Sequence, residues 1–276
     1  MKTALIQLNV TDDPVENLPV TIGYIREAAA AGARFILTPE VTNCLSTSRS
    51  HQESVLQHES DDITLAALGL EAKTLGVWLL IGSLALKTED PDGRFANRSF
   101  MIDPQGDIVA RYDKIHMFDV QVTPEETYRE SDGYRPGDQA VIAKTDFGDV
   151  GMTVCYDLRF AALHCALARH GARILTVPAA FSPVTGAAHW HALLRARAIE
   201  TGCFVIAPGQ TGTHQSKTKK MRATYGHSLV VAPWGEVQLD AGSATGVYIT
   251  DLNMEKVDEA RAKVPSLTNA QPFSGP

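Results

Sequence analysis

Three reactive side chains stand at the same kind of place in this sequence. Glu40 closes "RFILTPE", Lys114 closes "DIVARYDK" and Cys155 closes "VGMTVC". Each run reads as a strand, and in α/β sheets reactive groups gather at strand ends. A carboxylate, an ammonium and a thiol brought together make a set for nucleophilic catalysis. A free thiol has a pKa of about 8.5, so it is mostly protonated near neutral pH and needs a base. A carboxylate in a partly desolvated pocket can be that base. A lysine beside it would hold the anions and donate to a developing oxyanion. The backbone N–H of Tyr156, next to the thiol at a helix entry, is a natural second donor.

Each residue also has a plain structural reading: Cys155 as core filling, Glu40 as a loop carboxylate, Lys114 as a surface lysine. The placement at three comparable strand ends favours chemistry. The nearest histidine, His164, lies on the following helix, and a Cys–His hydrolase stays open on residue logic alone. Cys44, Cys165 and Cys203 lack such company and read as structural. His189 and His191 are two apart on a helix and point to different faces. His227 reads as a hydrogen-bonded structural histidine. Neither HExxH nor CxxC is present, so no metal site is expected. Without GxGxxG or GxxxxGK[ST], nucleotide binding has no support. The expectation is a cofactor-free enzyme.

The elements that must carry these residues alternate. Strands are expected over Thr3–Asn9, Arg34–Glu40 and Val77–Ser83. Helices are expected over Val15–Ala31 and from about Asp62 to Leu75, the latter with Asp61 as N-cap. The run "RSFMIDPQGDIVARY" reads as a hairpin. The second half repeats the plan: a strand Val150–Val154, a helix Phe160–Arg169, a strand Arg173–Ala179, a helix Ala188–Gly202, a strand "CFVIAP" and a hairpin "HSLVVAPWGEVQLD". Residues 31–40, "AGARFILTPE", echo 170–179, "HGARILTVPA". Strands such as "FILT" and "ILTV" are apolar on both faces, as sheets covered on both sides require. The expected fold is α/β: a four-layer α-β-β-α sandwich with internal pseudo-symmetry, one domain over residues 1–276, with 265–276 as a tail over the surface or a partner subunit.

The 276 residues are 44% hydrophobic and 21% charged, enough for a sizeable core, with a net charge of −7. An acidic balance argues against nucleic-acid or anionic-membrane binding. The one basic run, Lys217, Lys219, Lys220 and Arg222, reads as a solvated loop. No apolar segment reaches transmembrane length and the N-terminus lacks a signal-peptide h-region, so a reducing cytoplasm is expected.

The stretches "LTPEV", "YDKIHMFDV" and "GMTVCYDLRF" resemble the three signatures of the nitrilase superfamily, the carbon–nitrogen hydrolases, in the right order and across nearly the whole chain. The resemblance implies the same sandwich fold, with Glu40 as general base, Lys114 stabilising the tetrahedral intermediate and Cys155 forming a thioester. It implies a second glutamate between the Lys and Cys motifs. Glu130 in "YRESDGYRPGD" matches it best, with Glu125 and Glu126 as competitors. "LLRARAIET" and "ATYGHSLVV" are similar to the amidase branch that includes deaminated glutathione amidases, the leading reading, and ω-amidases, which act on carboxylate-bearing 2-oxo acids. Arg159 would then clamp a carboxylate, and Phe181 and Thr185 would line the pocket. The partners implied are a small amide substrate and a second copy of the chain, as a dimer or higher homo-oligomer. A nitrilase proper and a silent nitrilase-like binding protein are the rivals. The long segment between Lys114 and Pro136, and the Ser/His-rich stretch Thr42–Ser60, depart from the family pattern where substrate choice is often set.

Overall fold

The computed structural model describes residues 1–124, 126–217 and 221–275. The first half runs β1 (Lys2–Gln7), α1 (Pro14–Ala30), β2 (Phe35–Leu37), α2 (Arg49–Val55), α3 (Ile63–Leu75), β3 (Trp78–Leu86), β4 (Ala96–Ile102) and β5 (Ile108–Asp113). A short ribbon, β6 (Asp119–Gln121) with β7 (Thr127–Arg129), follows. The second half runs β8 (Val141–Ala143), β9 (Val150–Met152), α4 (Ala161–Arg169), β10 (Ile174–Thr176), α5 (Pro183–Thr201) and β11 (Phe204–Ala207). Then come a ribbon of β12 (Thr211–His214) and β13 (Arg222–Tyr225), the hairpin β14 (Leu229–Val231) and β15 (Val237–Asp240), β16 (Gly246–Asp251), α6 (Glu255–Lys263) and α7 (Ser266–Asn269).

Two six-stranded sheets result, ordered β16-β1-β2-β3-β4-β5 and β15-β14-β11-β10-β9-β8. Three parallel strands form the middle of each, β1-β2-β3 and β9-β10-β11, flanked by antiparallel ones. The pseudo-symmetry expected from the repeated text is therefore present, with one addition. The strand beside β1 is β16, from the far end of the chain, whereas its counterpart β8 immediately precedes β9.

Alternation within the buried strands shows how the layers stack. In the first sheet Leu5, Phe35, Leu37 and Leu80 join one core with Val150, Met152 and Ile174 of the second sheet. Their neighbours Ala4, Ile6, Ile36 and Leu79 belong to another core with Ile25 of α1 and Leu68 of α3. Each strand thus buries both faces, one against the other sheet and one under helices, which is the α-β-β-α sandwich.

Several boundaries differ from expectation. The N-cap of α3 is Asp62, whose Oδ1 accepts from Leu65 N at 2.8 Å, in place of Asp61. Five residues before the expected start, α5 begins at Pro183, because proline at the first helical position costs no hydrogen bond. The polar stretch Thr42–Ser60 contains α2, capped by Ser48. Residues Cys155–Arg159 form a separate 3-10 turn ahead of α4. Within the tail, Ser266–Asn269 form α7, and Ser266 Oγ donates to Glu200 O at 3.0 Å.

Candidate active site

Glu40, Lys114 and Cys155 meet at the base of one cavity of ≈ 670 Å³. Three pieces of local structure bring them there. In the two halves the echoed segments end in Pro39 and Pro178, and both pack on Gly82 of β3. A Cβ on Gly82 would stand 2.1 Å from Thr38 O and 2.6 Å from Pro178 Cβ, so only glycine lets the two strand ends meet. The N–H of Cys155 donates to Pro178 O at 2.9 Å. Lys114 is fixed through its backbone, donating to Asn97 O at 3.0 Å beside the end of the β4–β5 hairpin.

Asp157 joins the lysine turn to the cysteine turn. Fully buried, it accepts from Val154 N at 2.9 Å and Tyr112 OH at 2.7 Å on one oxygen. On the other it accepts from His116 N at 3.0 Å and His116 Nδ1 at 2.7 Å. Val154 precedes the thiol; Tyr112 and His116 bracket Lys114. The site also holds backbone strain: Cys155 sits at φ 50° and Val41, after Glu40, at φ 49°. A left-handed backbone is costly for a β-branched residue, and such strain persists only where the surroundings over-determine it.

The charges interlock. Lys114 Nζ lies 3.0 Å from Glu40 Oε1 and 2.8 Å from both oxygens of Glu130. Asn97 Nδ2 donates to Glu40 Oε1 at 2.9 Å and to Glu130 Oε1 at 3.3 Å. Ala180 N donates to Glu40 Oε2 at 2.7 Å, and the Cys155 thiol is near enough to Glu40 for each group to shift the other's pKa. Burial alone would raise the Glu40 pKa. The Lys114 charge, the nearby Cys155 thiol and the bond from Lys114 outweigh it and hold the carboxyl below its ordinary value. Burial and the Glu40 charge push the Cys155 thiol well up. Burial opposes the charge of Lys114, yet Glu130 and Glu40 together hold its pKa well above the ordinary value. The resting site is a neutral thiol near a carboxylate that is paired with a charged lysine. Lys114 has three N–H groups and faces three carboxylate oxygens, so a substrate oxygen arriving beside it would share or displace one of these bonds.

Of the two described glutamates weighed from the sequence, Glu126 and Glu130, it is Glu130 that bonds to Lys114. Glu126 accepts from Tyr128 OH at 2.6 Å and Ser182 Oγ at 2.9 Å on the cavity wall. Glu125 lies outside the described residues. Tyr156, Phe181 and Thr185 line the cavity. Tyr156 N belongs to the first turn of the 3-10 segment, where an N–H has no acceptor within its own helix. Arg159 is not among the lining residues; its guanidinium lies over the Tyr156 and Phe181 rings, 5.9 and 5.7 Å from their centres.

The basic run splits apart. Lys217 pairs with Asp13 at 2.6 Å, and Lys219 and Lys220 lie outside the described residues. Arg222 corrects the solvated-loop reading. Pairing of β13 with β12 brings it to the cavity wall, where it donates to Ala180 O at 2.7 Å and covers the Tyr128 ring at 5.4 Å. Its Nε is buried with no hydrogen-bond partner among the described residues. Asn97, Asp157 and Arg222 were all missed as site residues. Only Asp157 had a signal, as the polar break after an apolar run.

The fold and this site define a carbon–nitrogen hydrolase: residues 2–262 match that family, and the chain belongs to it. It is 38% identical over 258 residues to the deaminated glutathione amidase of Yersinia enterocolitica, covering 92% of this chain and 88% of the relative. Among solved structures it superposes on the C. elegans NitFhit protein with TM-score 0.88 at 29% identity, over 98% of this chain and 65% of that one. On Saccharomyces cerevisiae Nit3, a member of branch 10 of the nitrilase superfamily, the TM-score is 0.83 at 27% identity, over 96% of this chain and 94% of that one. Among the described residues no helix is long and apolar enough to cross a membrane.

Proposed function

We propose that this chain is an amidase that cleaves the C–N bond of a small carboxylate-bearing amide, with deaminated glutathione as the leading substrate, through a thioester on Cys155. The observation that carries the reading is a buried thiol in the same cavity as a buried carboxylate that is ion-paired to Lys114 at 3.0 Å. Glu40 takes the thiol proton as sulfur attacks the amide carbon. The oxyanion forms against the ammonium of Lys114, which gives up one of its carboxylate bonds, and the N–H of Tyr156. Glu40 then returns the proton to the departing amine, which leaves a thioester. A water that loses its proton to Glu40 attacks the thioester, and the carboxylic acid departs as the thiol is restored. Glu130 keeps Lys114 charged and in place.

The name of the Yersinia relative supports the substrate choice, and so does the cavity, whose volume suits a drug-sized ligand. Arg222, with a donor edge beside the cavity, is the leading cation for a substrate carboxylate, and Arg159, behind the aromatic wall, adds positive charge without lining the cavity. We place the enzyme in the cytoplasm as a homo-oligomer, a dimer or higher.

The test compares amine release from deaminated glutathione, 2-oxoglutaramate and a neutral amide. Cys155→Ala and Cys155→Ser should abolish turnover of every good substrate with the fold intact; retained activity in Cys155→Ala overturns the mechanism. Arg222→Lys and Arg159→Lys remove the planar fork and should raise KM for anionic amides more than for the neutral one. Equal effects on both classes count against carboxylate recognition.

A further inference from the structure

Away from the cavity, α5 and the β14–β15 hairpin bring together three side chains that lie far apart in sequence. His191 Nε2 is 2.9 Å from Asp240 Oδ2, and His227 Nδ1 is 2.9 Å from Asp240 Oδ1 and 3.2 Å from Oδ2. One ligand atom from each lies within 4.8 Å of the others. We propose that His191, His227 and Asp240 bind one divalent transition-metal ion of the zinc type, fastening α5 to the end of β15.

Helical spacing predicts that His189 and His191 diverge and cannot share a metal. They do diverge: His189 Nδ1 sits 3.3 Å from Arg159, while His191 turns to Asp240. The second imidazole and the carboxylate come instead from the hairpin, which no helical spacing reveals. Zinc bonds of about 2.0–2.2 Å to nitrogen and oxygen in tetrahedral geometry put neighbouring ligand atoms about 3.3 Å apart. The His–Asp pairs need to open by only a few tenths of an ångström. Two imidazoles and one carboxylate suit Zn²⁺, Co²⁺ or Ni²⁺ rather than Mg²⁺ or Ca²⁺, which favour all-oxygen sets. Each ring nitrogen now facing Asp240 would give up its hydrogen, and the neutral ring would carry that hydrogen on its other nitrogen. The rings stay uncharged and the site keeps the carboxylate's single negative charge.

Surrounding contacts aim the ligands. The N–H of His227 donates to Gly242 O at 2.7 Å, and its C=O accepts from Trp190 Nε1 at 2.8 Å. Its backbone is left-handed at φ 53°, and Tyr225 stacks on the ring at 4.4 Å. Gly242 N donates to Asp240 Oδ1 at 2.9 Å. Outer contacts of this kind fix ring orientation in metal sites. The side chains of His191, Asp240 and His227 are 37%, 33% and 29% exposed, so an ion and a water as fourth ligand can enter. The ion would sit one layer behind the cavity wall: Trp190 packs on Phe181 at 4.9 Å, and Tyr225 N donates to Phe181 O at 2.9 Å. The proposal does not depend on the reaction assigned above.

The experiment uses full-length Cys155→Ser protein stripped with EDTA, so that the active-site thiol cannot compete. It is titrated with Zn²⁺ by calorimetry and with Co²⁺ by visible absorption. One equivalent should bind with a micromolar or tighter Kd, Co²⁺ should show ligand-field bands without a thiolate charge-transfer band, and Zn²⁺ should raise Tm. His191→Ala, which keeps a good helix former on α5, and Asp240→Asn should each weaken binding about tenfold or more. His227→Ala should do the same; should it fail to fold, the His191→Ala result decides. No uptake at about 100 µM Zn²⁺, which lies far above the affinity of a built zinc site, overturns the proposal. So does unchanged affinity in His191→Ala, or a thiolate band that assigns the ion to a cysteine.

Discussion

Replacing Asp157 by asparagine tests whether one buried carboxylate holds the two catalytic turns together. The side chain keeps its shape but loses one acceptor oxygen and its charge. In the native site two donors meet each oxygen: Val154 N–H and Tyr112 OH on one, His116 N–H and His116 Nδ1 on the other. Whichever way the amide is placed, its NH₂ faces a backbone N–H. The Tyr112 hydroxyl and the His116 ring can each reverse role and accept; Val154 N–H and His116 N–H cannot. One buried N–H is left unpaired, at about 1–3 kcal/mol, and the remaining bonds lose their charge assistance, about 1 kcal/mol each. Relief from burying a charge offsets part of this, so the expected loss is about 3 kcal/mol. For a chain of this size that lowers Tm by about 5 °C. Cys155 and Lys114 also lose their common anchor, so kcat should fall more than tenfold, by the cost of misplacing reacting groups by about 1 Å. KM should move little, because Asp157 does not line the cavity. Urea and thermal melts with steady-state kinetics on one good amide make the assay. A stability change under about 1 kcal/mol together with native kcat would show that the two turns are held independently, and the reasoning fails.

Asn97 donates to both Glu40 and Glu130, and hydrogen bonds to charged groups contribute about 1.5–3 kcal/mol each. Asn97→Ala should therefore lower kcat by one to two orders of magnitude with little change in KM, and an unaltered kcat would remove it from the machinery. Stability should fall on acidification before the carboxylates titrate. Burial lowers His164 and His214 from 6.5 to about 4, so the fold holds them neutral while the unfolded chain takes up their protons. Their contribution is full above pH 6.5 and is lost as the pH falls towards 4, about 2 kcal/mol each by pH 5. Urea midpoints at pH 7.5 and 5.0 measure this, and coincident midpoints would contradict it.

What the sequence made legible is what is encoded locally. Glu40, Lys114 and Cys155 each close a run whose periodicity marks a strand, so their shared placement could be read without coordinates. The same holds for the pseudo-symmetry, which is written twice in the text around Pro39 and Pro178. The sequence was silent where function depends on which strand face meets which. Asn97 lies within β4 and touches Glu40 only because the β4–β5 hairpin folds its register against Lys114. Arg222 stands in a run of basic residues, and charge runs are usually solvated; its pairing with β12 turns it to the cavity.

The contrast between Arg159 and Arg222 shows why spacing from a nucleophile is a weak guide to substrate contact. Arg159 is four residues from Cys155, but the 3-10 turn between them carries its guanidinium over the outer aromatic wall. Arg222 is distant in sequence, yet its carbonyl acceptor, Ala180, is the residue whose N–H holds Glu40. Ala180 therefore bonds the base through its nitrogen and the cation through its oxygen. A shift of Arg222 on meeting a substrate carboxylate would be transmitted through one peptide segment to the catalytic base. With Glu40 as the proposed base, this link predicts that Arg222→Lys changes kcat for anionic amides as well as KM.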